Sequence, residues 1–181
     1  MPDFVSLWKD GPLFAQSPHF KLSTDSILLA DFVNISQAGR GIDLGCGSGI
    51  ISLLLLSRSE KLCMTGLEIN PEAAALAGAN MAENGLCERS QIVTGDIRCH
   101  REFFRAGSFD LAAANPPYFP ENSGLMSPKS DRAAARGVAA GAGAAGRTRQ
   151  HRFLQAAVRA PPGDRVEIAG RPAHSAASAM S

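Results

Sequence analysis

Three glycines at alternate positions, Gly45, Gly47 and Gly49, stand between a short apolar run over 40–44 and a longer one over 50–58. No other stretch limits the folding of this chain as much. Glycine reaches left-handed backbone angles at no steric cost and admits close approach, so the pattern reads as strand, tight turn and helix. The same order repeats downstream. A second strand is expected over 63–69, running into Asn70 and Pro71, which suit the N-cap and first position of an Ala-rich helix that stops at Gly85. A third strand over 91–94 leads to Gly95 and Asp96, and a fourth over 109–114 leads to Asn115, Pro116, Pro117 and Tyr118. Strands alternating with helical segments predict an α/β fold with a doubly wound, mostly parallel sheet. Ahead of them, 24–33 is expected to form a capped amphipathic helix that covers the sheet.

Composition narrows the setting. The chain has 181 residues, of which 45% are hydrophobic and 19% charged, the range of one soluble domain. The longest apolar run, over 50–56, contains Ser52 and falls well short of the roughly 20 residues a membrane span needs. Asp3 and the lack of a basic-then-apolar leader argue against secretion. Cys46, Cys63, Cys87 and Cys99 have no Cys-x-x-Cys spacing, so they read as reduced cytosolic thiols rather than a disulfide framework or zinc site. Residues 1–136 hold 12 Lys and Arg against 15 Asp and Glu, whereas 137–181 hold 6 against 2. The second stretch also contains 13 Ala and 6 Gly, with little to build a packed core. Three regions are therefore expected: a lead-in over 1–39, a core over 40–136 and a low-complexity, disordered tail over 137–181.

Ligands of doubly wound sheets bind at the carboxyl ends of the strands, and all four strands here end in residues suited to one ligand. The series Asp43-x-Gly45-x-Gly47-x-Gly49 brings backbone N–H groups and a helix N-terminus toward a negative group. Its third glycine comes one residue too early for the dinucleotide fingerprint, which disfavours a nicotinamide cofactor. A tight turn with no ligand is the alternative. Glu68, at the end of the second strand, can accept from both hydroxyls of a ribose, or can be a solvated strand-end charge. Asp96 can accept from the exocyclic amine of an adenine, or can cap the next short helix.

The fourth strand end carries the chemistry. Asn115 offers a side-chain carbonyl and Pro116 a backbone carbonyl, two acceptors that can grip both protons of a planar amine and turn its lone pair outward. A methyl donor held about 3 Å away in line is then displaced by positioning and partial charge, without a strong base. Pro116 and Pro117 stiffen this cage, and Tyr118 can stack on a flat base or amide. A rigid surface turn is the alternative.

On these residues, together with a lead-in that contains Phe14, Gln16, Thr24, Asp25 and Phe32, the chain resembles the class I S-adenosylmethionine-dependent methyltransferases of the Asn-Pro-Pro-Tyr branch, and among them the bacterial tRNA(Val) adenine-N6 methyltransferases. The resemblance implies a Rossmann-like fold and the cofactor S-adenosylmethionine. It implies cofactor contacts at Asp43, Gly45, Gly47 and Gly49, ribose binding at Glu68, adenine contact at Asp96, and Thr24 and Asp25 near the methionine end. It further implies target-amine binding at Asn115, Pro116, Pro117 and Tyr118, a tRNA partner, a cytoplasmic setting and no metal. Release-factor glutamine methyltransferases share the tetrapeptide but carry a helical domain in front, so they rank second. A relative that at most binds the cofactor is the third reading.

The resemblance runs from about Leu13 to Arg136 and then stops. The change of composition is what a shifted reading frame near Arg136 would give, with an unusual basic tail as the alternative. Loss of the family's later strands predicts a bare far edge on the fourth strand, with 166–169 as a substitute strand and 152–159 as a short helix.

Overall fold

A computed structural model describes residues 2–18, 22–115 and 156–159. A hairpin of β1 (Phe4–Ser6) and β2 (Leu13–Ala15) comes first, followed by α1 (Thr24–Phe32), β3 (Arg40–Leu44), α2 (Ile50–Ser57), β4 (Cys63–Glu68) and α3 (Pro71–Glu83). Then come β5 (Ser90–Thr94), the one-turn α4 (His100–Phe103), β6 (Leu111–Ala114) and β7 (Ala156–Arg159). The main sheet has the order β5-β4-β3-β6-β7; its first four strands are parallel and β7 is antiparallel to β6. This is the doubly wound α/β architecture that the sequence pattern predicts.

Its helices form where the caps stand. Asn70 accepts from the backbone N–H groups of Glu72 and Ala73, and Pro71 opens α3. The helix ends with Gly85 at φ +67°, and the N–H of Leu86 returns to the Met81 carbonyl at 2.9 Å. That is the glycine-terminated C-cap expected there. Helix α2 carries no side-chain cap, and seven of its eight residues, 50–56, are buried. A helix apolar on all sides must lie inside the molecule, and each fully buried Leu contributes about 1.5–3 kcal/mol. Carbonyls at the end of α1 and in the loop after α2 find remote partners. Arg58 reaches the Ala30 carbonyl, and Arg89 reaches the Ser59 and Leu62 carbonyls at 2.6 and 3.2 Å.

Two-residue alternation along the strands divides the core. Met64, Leu111 and Ala113 join α1, α2 and the end of α3 on one face. Ile42, Leu44, Leu67, Ala112 and Ala114 form a smaller cluster with Ile97 and Phe109 on the other.

Three expectations are corrected. Helix α1 is capped by Ser23 and buries Leu29 and Ala30, but Ile27, Leu28 and Phe32 are exposed, so it is not cleanly amphipathic. The far edge of β6 is not bare, because β7 pairs with it from Leu111–Arg159 to Ala114–Ala156. Residues 156–159, expected at the end of a helix, are that strand. So short a helix is unstable alone, and Pro161 and Pro162 cannot continue it, whereas the open N–H and C=O groups of β6 supply hydrogen bonds at once. The expected substitute strand over 166–169 lies outside the described residues. Among the described residues no helix is long and apolar enough to cross a membrane.

Candidate active site

Strand register brings the candidates together. Leu44 pairs with Leu67 on one side and Ala114 on the other, and Glu68 pairs with Thr94. Gly45, Glu68 and Asn115 thus leave their strands at one level, and Asp96 follows two residues after Thr94.

The turn over 45–49 is built from backbone. Gly45, Gly47 and Gly49 have φ of +73°, +56° and +81°, a region that side chains disfavour. The N–H groups of Gly45 and Cys46 both donate to the Leu67 carbonyl, at 2.8 and 3.2 Å, which straps the turn to the end of β4. The glycines differ in what surrounds them. A side-chain carbon at Gly47 would meet no atom within 4 Å, and one at Gly45 only Ile97 Cδ1 at 3.8 Å. One at Gly49 would press on Ala77 Cβ and Met81 Cε, both at 3.1 Å. Gly45 and Gly47 therefore keep open the space beside the turn, while Gly49 lets α3 pack against it.

Glu68 is buried and grips the turn. Its Oε2 accepts from Gly47 N–H at 2.8 Å and its Oε1 from Asn70 N–H at 2.9 Å. A carboxylate has about four lone-pair sites, so each oxygen can still accept a ligand hydroxyl. Asp43 lies beneath the turn, fully buried, with Oδ2 accepting from Ser52 Oγ at 3.0 Å. Its Oδ1 has no hydrogen-bond partner. Burial pushes the Asp43 carboxyl up to about 7, against the opposing hydrogen bonds from Ser52. Burial also pushes the Cys46 thiol up, so that side chain stays a neutral filler of the turn. An unpartnered buried oxygen and the open side of Gly47 both fit a ligand seated on this turn.

Asp96 does what its alternative reading foresaw. It caps the 3-10 turn Ile97–Cys99, with Oδ1 accepting from Arg98 N–H at 2.8 Å. The Arg98 guanidinium also closes on both carboxylate oxygens and holds the Asp96 carboxyl below its usual range.

Asn115 directly follows β6, and its Nδ2 donates to Ser26 Oγ in α1 at 2.8 Å. This bond brings the start of α1, with Thr24 and Asp25 in its first turn, to the end of β6. Pro116, Pro117 and Tyr118 lie outside the described residues. Among the described residues no cluster of three or more His, Cys, Asp or Glu could hold a metal ion.

Sequence reasoning missed four residues that hold the site. Ser26 and Ser52 meet Asn115 and Asp43. Asn80 and Asn84, one turn apart on α3, act as a substitute strand for β2. The Asn80 amide pairs with the N–H and C=O of Ala15 at 2.8 and 3.0 Å, and the Asn84 amide with those of Leu13 at 2.8 and 2.7 Å. Four helical residues rise about 6 Å and two strand residues about 6.8 Å, which is why the pairs match. Asn80 Nδ2 also donates to the Ser48 carbonyl at 2.9 Å, tying the hairpin to the glycine turn. The i, i+4 asparagines on an otherwise Ala-rich helix were the available signal.

Residues 13–127 match the methyltransferase small domain family. The chain is 38% identical over 100 residues, 55% of its length and 39% of the relative's, to a protein of Yersinia enterocolitica named tRNA1(Val) (adenine(37)-N6)-methyltransferase. A protein of the same name from Aliivibrio salmonicida is 35% identical over 115 residues, 64% of this chain and 47% of that one. The chain thus spans less than half the length of these curated relatives. Among solved structures, cofactor-bound Rv0187 from MTB aligns with a TM-score of 0.48 and 18% identity, over 66% of this chain and 67% of that one.

Proposed function

The chain belongs to the methyltransferase small domain family, and from that premise we propose that it methylates the exocyclic N6 amine of an adenine in a tRNA of the tRNA(Val) type. The methyl donor is S-adenosylmethionine, which when bound supplies an electrophilic methyl group. The observation that carries the reading is the common level of Gly45, Glu68 and Asn115, which sets a ribose-binding carboxylate and an amine acceptor on either side of an open turn. The names of the relatives support the substrate.

Each residue has a part in this reading. Glu68, already oriented by the N–H groups of Gly47 and Asn70, accepts from the ribose hydroxyls. Asp43 supports the turn from below, and its unpartnered Oδ1 can be met by a polar group of a bound ligand. Gly45 and Gly47 admit the methionine end, near Thr24 and Asp25. Asp96 accepts from the adenine amine of the cofactor once Arg98 shares it. Asn115, with Pro116, accepts hydrogen bonds from the two N–H groups of the target amine, so that its lone pair points at the methyl carbon. As the N–C bond forms, the S–C bond breaks to leave the thioether and one N–H proton passes to water, while Pro117 holds the backbone and Tyr118 stacks on the base. The target base leaves its stack to reach this pocket. A tRNA substrate implies a cytoplasmic setting.

The test is to incubate the purified 181-residue chain with methyl-labelled S-adenosylmethionine and tRNA, then digest both fractions. Label in N6-methyladenosine supports the proposal. Label in protein glutamine moves the chain to the release-factor branch. A melting transition raised by the cofactor, by about 2.7 kcal/mol at 100 times its dissociation constant, without label in either fraction marks a relative that only binds.

A further inference from the structure

The proposed reaction depends on which way the Asn115 amide faces, and that amide is held from outside its own strand. Asn115 Nδ2 donates to Ser26 Oγ at 2.8 Å, and Ser26 is buried. Ser26 Oγ also lies 3.0 Å from Ser23 Oγ, which accepts from the Ser26 backbone N–H at 3.2 Å. A hydroxyl has one proton to give and two lone pairs. Either hydroxyl can donate in that pair; when Ser26 gives its proton to Ser23 Oγ, Ser26 Oγ meets Asn115 as an acceptor, the arrangement in which Asn115 Nδ2 faces it. Nitrogen and oxygen occupy opposite arms of one planar fork. Fixing the nitrogen at α1 therefore fixes the oxygen on the side away from α1.

We propose that Ser26 is a positioning residue for methyl transfer: by accepting from Asn115 Nδ2 it locks the amide so that the carbonyl oxygen, not the N–H₂, meets the target amine. This rests on the methyltransferase reading. A flipped amide would present donors to an amine whose own protons also donate, so the lock selects an amine as the acceptor group. Capping alone does not account for the Ser26 hydroxyl, because the Ser23 side chain already caps α1.

Ser26→Ala and Ser26→Thr separate this role from a structural one. The alanine variant is expected to lose about 10- to 100-fold in kcat, the cost of a misplaced reacting group, with the S-adenosylmethionine Kd within a few-fold of the parent, since the proposed ribose and glycine-turn contacts at the ends of β3 and β4 do not involve Ser26. The threonine variant, which keeps the hydroxyl, is expected to recover most of the rate. Full activity in Ser26→Ala, or a Kd that worsens in step with kcat, overturns the proposal. If the parent chain transfers no methyl group, the function reading fails, and the lock is judged by NMR. The Asn115 side-chain amide resonances, assigned by their loss in Asn115→Ala, are expected to shift and to exchange faster with water in Ser26→Ala. Unchanged resonances overturn the lock itself.

Discussion

The glycine turn and Asn115 end adjacent strands at the same level, yet different parts of the chain hold them. Most of the hydrogen bonds that shape the turn fall within 43–70: Leu67 takes Gly45 and Cys46, Glu68 takes Gly47, and Cys46 takes Gly49. Asn115 is held by Ser26, 89 positions earlier, and its strand is flanked by β7 from near the other end of the chain. A strand–turn–helix–strand unit thus holds the proposed cofactor side by local contacts, while the proposed amine side exists only when remote segments meet. Changes outside 43–70 should therefore disturb the amine side first.

Asn115→Ala makes the sharpest test of that division. It is expected to lower methyl transfer by about 10²–10³-fold, the usual cost of removing one placed hydrogen-bonding group, while S-adenosylmethionine affinity stays within a few-fold. Calorimetric binding and single-turnover rates together check it. A parallel loss of binding would merge the two sides into one unit.

Asp43 comes next. Its native carboxyl titrates near 7, above the value of about 3.9 in an unfolded chain. Between those values the folded state keeps a proton that the unfolded state has released. The Asp43 contribution to stability is therefore complete below about pH 4, declines by up to about 1.4 kcal/mol per pH unit, and is gone above about pH 7. Denaturant midpoints from pH 4 to 8 should fall accordingly, and Asp43→Asn should flatten the trend. A profile that is the same in both proteins would mean that Asp43 does not carry a buried proton.

Glu68→Ala is expected to have the smallest effect, weakening cofactor binding by about 1–3 kcal/mol through lost hydrogen bonds and released Gly47 and Asn70 N–H groups. The rate at saturating cofactor should change little. A lower rate with unchanged affinity would move Glu68 from the cofactor side to the amine side.

Legibility followed the same division. Strands β3 to β6, the caps of α3 and the glycine turn over 45–49 could be read because glycine, proline and asparagine act on their immediate neighbours. Gly49 was read as a ligand contact, and the structure adds a reason for glycine there that the sequence did not show, the packing of Ala77 and Met81. Asp96 had two local readings; the structure shows the capping contact with Arg98 N–H, and the adenine contact belongs to the proposal. Ser26 and Ser52 gave no local signal of their roles, and the i, i+4 spacing of Asn80 and Asn84 did not name a partner, because each partner lies on another element.

The sequence by itself determined the parallel α/β order, the glycine turn and the glycine-terminated α3, since backbone freedom and capping are set within a few residues. Tertiary structure alone decided that β7 closes the edge of β6, that Asn84 and Asn80 stand in for a strand beside β2, and that Ser26 meets Asn115. Those contacts depend on open backbone groups and side-chain amides finding partners tens of residues away, which spacing along the chain does not encode.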